Sequence, residues 1–119
     1  MQTFPPAVID EKGLVNPAIM AQTLHTTTQD IAAHAGISVS TISKKDRVAS
    51  VKTQKKLRDV IEILTKAAQY SGSIFQAFAW YICEPIPAFG GLTAENLVVN
   101  GEADIVKAYL EQLALGGYA

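Results

Sequence analysis

Few residues in this chain are arranged to break or make a covalent bond. His25 and His34 lie nine positions apart with no cysteine or carboxylate at ligand spacing, and Cys83 stands alone in an apolar stretch. A zinc site needs three or four such ligands, so none is expected, nor any other bound cofactor. Glu84, Glu95 and Glu102 sit beside expected helix ends, where the helix dipole accounts for them better than acid–base chemistry does. Gly90-Gly91 lacks the further glycines and the lysine of a phosphate-binding loop. No serine or cysteine has the histidine context of a nucleophile. The expectation is a protein that is not an enzyme.

The residues that do carry a signal are those of a binder. Gln29-Asp-Ile-Ala-Ala-His-Ala-Gly-Ile-Ser-Val-Ser-Thr-Ile-Ser-Lys-Lys45 fits a helix-turn-helix. Ala32 is small where a second helix must cross. Gly36 occupies the turn, where a left-handed backbone costs glycine little. Ile31, Ile37 and Ile42 fill the space between the helices, and Ser38 caps the second. That helix would enter a DNA major groove by its first residues. Val39, Ser40, Thr41, Ser43 and Lys44 would then face the bases, with Ser38 at the DNA-binding end as the cap and Lys45, Arg47 and Lys52 on phosphates. The charge distribution agrees. Residues 44–66 hold eight Lys/Arg against three Asp/Glu, whereas residues 67–119 hold one lysine against five acids. The net charge of -1 conceals this division. The second helix has no Arg, Asn or Gln for bidentate base contacts, so affinity has to come from phosphates and from pairing of two copies. The same segment can also be read as a plain pair of short helices in a core, followed by a solvated basic helix.

These residues must be positioned by helices. Asn16-Pro17 marks a helix start running to about Leu24. Thr26 to Thr28 caps a second, Gln29 to Ala35. Ser38 begins a third that reaches Lys45. Ser50 to Gln69 is the longest, with Leu57, Val60, Ile61, Leu64 and Ala68 as its apolar stripe. After Ser71-Gly72-Ser73 comes Ile74 to Ile82, apolar nearly all round. Ile74, Phe75, Phe78, Ala79 and Ile82 form one side, Ala77, Trp80 and Tyr81 the other. Such a helix is buried on more than one face, and it offers more apolar surface than one small domain covers, so a homodimer is expected. Thr93 and Asn96 resemble a capping box opening a short helix to Val99. Glu102 to Leu115 is the last helix, striped by Val106, Tyr109, Leu110 and Leu113. No strand pattern or sequence repeat appears. The expected fold is all-α: residues 1–15 an N-terminal arm, 16–70 the helix-turn-helix region, 71–119 a compact C-terminal helical domain.

The C-terminal part carries a second signal. Trp80, then Pro87-Ala-Phe-Gly-Gly-Leu-Thr93-Ala-Glu-Asn-Leu97, then Gly101-Glu102, Val106 and Leu110, and finally Gly116-Gly-Tyr-Ala119 resembles the toxin-binding domain of the Xre/MbcA/ParS antitoxins. With the helix-turn-helix ahead of it the resemblance spans about residues 20–119. Ala94 departs from it where proline is common, at a helix position that tolerates either. The resemblance implies a type II antitoxin whose partner is a RES-domain toxin, an enzyme that consumes NAD or transfers ADP-ribose from it. It implies that the tail reaches into the toxin's pocket, through Leu113, Leu115, Gly116, Gly117, Tyr118 and Ala119. Gly116-Gly117 would make that tail thin, and a carboxylate at its end could meet arginines that otherwise hold a phosphate. It further implies that operator DNA is bound by paired recognition helices. Two other functions stay open on the residues alone: a stand-alone helix-turn-helix transcription regulator, and an interaction domain that binds no DNA.

A single cysteine cannot make an internal disulfide, and residues 2–6 are neither basic nor followed by an apolar run. No stretch approaches the roughly 20 apolar residues of a membrane span. A cytoplasmic protein with no membrane partner is expected.

Overall fold

The computed structural model describes residues 4–116 as eight α-helices, with no strand among them. The helices are α1 Pro17–Thr23, α2 Thr28–Ala35, α3 Val39–Ile42, α4 Lys45–Val48, α5 Val51–Ser71, α6 Ile74–Cys83, α7 Ala94–Val99 and α8 Ala103–Ala114. The fold is all-α.

Helix starts follow their caps. Asn16, Thr27, Ser38, Ser50, Ser73 and Thr93 each place a side-chain oxygen on a first-turn backbone N–H. Each cap satisfies a donor that would otherwise have no intrahelical partner. At Thr93 the cap is reciprocal. Thr93 Oγ1 accepts from the Asn96 N–H at 3.1 Å, and Asn96 Oδ1 accepts from the Thr93 N–H at 3.0 Å.

α5 is the axis. Its 21 residues extend over about 30 Å at roughly 1.5 Å per residue. α6 folds back along it after Gly72. α8 runs parallel to it, held by Asp59–Lys107 at 2.6 Å and by Lys66–Glu111. With α6 and α8 both packed on it, α5 is buried beyond the expected stripe. Ile63 and Ala67 are buried with Leu57, Val60, Leu64 and Ala68, whereas Ile61 is only half-buried. Fully burying one such Leu or Ile is worth about 1.5–3 kcal/mol.

α6 also differs from its expected sides. Ile74, Ala77 and Tyr81 are the fully buried face. Phe75, Phe78, Trp80 and Ile82 are half-buried against the core, and Ala79 is exposed. Much of the surface expected to need a second copy is therefore covered within the chain. Phe75 packs on His25 with ring centres 5.0 Å apart, and Phe78 on His34 at 5.4 Å. Tyr81 donates its hydroxyl to the His34 carbonyl at 2.6 Å. One buried cluster thus draws on residues before and after the helix break at Gly72.

Residues 4–15, expected as an arm, are fastened to this core. Val8 and Val15 are buried. An antiparallel bridge joins Ile9 to Val15, and a similar one joins Ile86 to Leu92. Each bridged loop leads directly into a capped helix, α1 or α7. The two loops share this build without sharing their residues.

Candidate functional site

The segment expected to be a helix-turn-helix forms two short helices around a left-handed glycine. α2 ends at Gly36, φ +73°. Ile31, Ala32, Ile37 and Ile42 are all buried between the helices. The glycine is needed for space as well as for its backbone. A Cβ there would lie 3.3 Å from the Val99 Cα and 3.4 Å from the Val99 carbonyl oxygen. Lys56 Nζ donates to the Gly36 carbonyl at 2.9 Å, fixing the turn against α5.

The second helix is shorter than expected. It does not run to Lys45. α3 ends at Ile42, Lys44 is extended with φ -120° and ψ 120°, and α4 begins afresh at Lys45. Ile42 and Val48 explain the break. Both pack inward, yet six residues of continuous helix would set them about 120° apart around the axis at 3.6 residues per turn. Interrupting the helix lets both side chains meet the core.

Eight of the nine residues expected to contact DNA are exposed: Ser38, Val39, Ser40, Ser43, Lys44, Lys45, Arg47 and Lys52. Thr41 is half-buried. The hydroxyls, however, serve the segment itself. Ser38 Oγ accepts from the Thr41 N–H at 3.2 Å and donates to Thr41 Oγ1 at 2.8 Å. Ser43 Oγ donates to the Val39 carbonyl at 2.7 Å. Val39 is left as an uncovered apolar side chain, 57% exposed.

Behind this segment lies a cleft of about 540 Å³ that the sequence did not suggest. Residues 10–12 and 14–18 form one wall, and Ile42, Ser43, Lys45, Val48 and Ala49 another. Gln54 closes it, but its polar atoms face the protein and not the cleft. They bind both backbone groups of Val15 and the carbonyl of Val48.

The other end of α5 is different. Ala67, Tyr70, Ser71, Trp80, Tyr109, Leu110 and Leu113 line a small, mostly apolar groove of about 160 Å³. Phe89 stacks edge-on to Tyr109 at 5.6 Å beside it. Trp80 and Phe89 are half-buried, and Tyr81 is the largest fully buried side chain. Of the residues expected to meet a toxin, Leu113 is half-buried in this groove and Leu115 is 87% exposed. Gly116 is exposed in a left-handed conformation, φ +86°. Gly117, Tyr118 and Ala119 lie outside the described residues.

Charges along α5 are paired on the α8 side. Asp59, 7% exposed, accepts from Lys107 and, at 2.9 Å, from Lys55. Burial pushes the Asp59 carboxyl up, but the hydrogen bonds and charges of the two lysines outweigh it and hold it below its ordinary value. His34 and Glu95, set aside separately in the sequence, are brought together as a side-chain contact, His34 Nδ1 against Glu95 Oε2, that ties α2 to α7. Sixty-one positions separate them, so no local pattern could reveal it. Among the described residues no group of three His, Cys, Asp or Glu could hold a metal ion. No helix there is long and apolar enough to cross a membrane.

Comparison with protein-family models, curated proteins and solved structures gave no match.

Proposed function

We propose that this chain is the antitoxin of a type II toxin–antitoxin pair. It holds a RES-domain, NAD-consuming or ADP-ribosylating toxin at its C-terminal end and occludes the toxin's active site. It binds operator DNA through the helix-turn-helix and works in the cytoplasm without catalysis of its own. The observation that carries this reading is the placement of two unlike surfaces at the two ends of α5. Lys44, Lys45, Arg47 and Lys52 gather at its start, and no acid occupies its first turn. Tyr70, Trp80 and Leu113 gather at its finish. About 30 Å of helix separates them, so one chain can engage a toxin and a duplex together. The open edges of Phe75 and Ile82, on one side of α6, supply a surface for a homodimer, which light scattering tests.

The experiment is co-purification with a RES-domain toxin encoded beside this chain, using the full chain and one lacking Gly116 to Ala119, with NAD consumption measured in each. The expected result is a silent complex with the full chain and an active complex with the truncated one. Failure of both to bind overturns the antitoxin reading. The helix-turn-helix build then favours a second reading, a stand-alone transcription regulator, which requires operator binding indifferent to the tail.

A further inference from the structure

The one-turn helix α3 has almost nothing left with which to donate a hydrogen bond to a base. A serine or threonine hydroxyl has a single donor hydrogen. That of Ser38 goes to Thr41 Oγ1, and that of Ser43 goes to the Val39 carbonyl. Ser40 Oγ lies 3.2 Å from Ser38 Oγ, drawn into the same cluster, and Thr41 is half-buried. None of these residues spans two positions of a base edge as Arg, Asn or Gln does. What the helix does present outward is the isopropyl group of Val39, its first residue, 57% exposed with no side chain over it. An apolar group at the start of a helix that enters the major groove has one matching feature there, the C5 methyl of thymine.

We propose that Val39 is the specificity-determining residue of the helix-turn-helix and that it selects a thymine by contact with that methyl group. This rests on the DNA-binding part of the reading above. Phosphates then supply most of the affinity through the lysines and Arg47, and the methyl contact supplies the preference. The serines act by holding α3 rigid and not by reading bases.

The test uses 20-base-pair duplexes enriched from a random library by the full chain. In the enriched duplex, each thymine is replaced in turn by uracil, which removes the methyl and leaves the base-pairing edge unchanged. The expected result is one thymine per half-site whose replacement weakens binding about three- to fivefold, the worth of one buried methyl-sized contact. Val39→Ser should bind thymine and uracil duplexes equally, with a melting temperature like that of the unaltered chain. Indifference of the unaltered chain to every uracil, or undiminished discrimination by Val39→Ser, overturns the role of Val39 alone. Enrichment of no duplex overturns it together with the DNA-binding half of the proposed function. Should Val39→Ser not fold, the uracil series on the unaltered chain decides.

Discussion

The side-chain amide of Gln54 pairs with both backbone polar groups of Val15, accepting from its N–H at 2.7 Å and donating to its carbonyl at 3.1 Å. The same nitrogen donates to the Val48 carbonyl at 3.0 Å. A single buried glutamine thus stands in for a neighbouring strand and fastens the N-terminal segment to the end of α4. Gln54→Leu keeps the volume and strands these partners in a place water does not reach. Each unpaired buried group costs about 1–3 kcal/mol, so a loss of about 2–4 kcal/mol is expected in urea unfolding. Residues 4–16 should also become open to limited proteolysis. A loss under about 0.5 kcal/mol would mean that the segment is held by Val8 and Val15 alone.

Gly36 and Gly13 separate two reasons for a glycine. Both have positive φ, +73° and +80°. A Cβ on Gly13 meets nothing within 4 Å, whereas one on Gly36 meets the backbone of Val99. Gly13→Ala should therefore cost about 1 kcal/mol, the left-handed term alone. Gly36→Ala should cost about 2–3 kcal/mol, because the Val99 backbone cannot swing aside as a side-chain tip would. Equal losses in chemical unfolding would show that α7 yields easily and does not press on the turn.

Helix starts were legible because a cap is a local event. Asn16-Pro17, Ser38 and Thr93 announce themselves within four residues, and the structure starts helices after each. The break between α3 and α4 was not legible, since neither glycine nor proline marks it. It arises from the need to bury Ile42 and Val48 together, which is a tertiary demand. The stripe of α5 was only partly legible for a similar reason. Ile63 and Ala67 are buried once α6 and α8, from later in the chain, pack against α5. The exposed basic residues of the site could be named from their run of charge. That the serines among them spend their hydroxyls internally could not, because it depends on the geometry of one helical turn.

Asp59 gives a prediction in pH. Its folded carboxyl lies below the ordinary value of 3.8, because the bonds from Lys107 and Lys55 outweigh the cost of its burial. A depressed carboxyl contributes stability above its unfolded value and loses it as pH falls through the lower folded value. Lys107→Met should thus destabilise the protein by about 1–2 kcal/mol at pH 7, a figure tempered by the partial exposure of Lys107. The same substitution should matter progressively less below pH ~4 and least once Asp59 is protonated. Urea unfolding at pH 7 and pH 2.5 checks this. A loss that is the same at both would assign the effect to packing of the lysine stem.

The basic end of α5 makes the sharpest quantitative demand. Lys44, expected on the bases, lies beyond the end of α3 and joins Lys45, Arg47 and Lys52; all four are exposed, and none has an acidic partner within ion-pair distance among the described residues. Each can neutralise a phosphate and release a counterion, which steepens the fall of affinity with salt by about 0.9 in the log–log slope. Replacing one by glutamine should flatten that slope by about 0.9 and weaken binding to every duplex alike, since phosphate contacts carry no sequence information. Lys55 supplies the contrast. It is already engaged by Asp59 at 2.9 Å, so Lys55→Gln should leave the slope nearly unchanged. Lys45 is the discriminating member of the set, because it also lines the cleft beside Asp10 and Glu11. A full change of slope at Lys45 would place the duplex over the mouth of that cleft. No change there, with full changes at Lys44, Arg47 and Lys52, would place the duplex on the α5 side of the segment and leave the cleft clear of it.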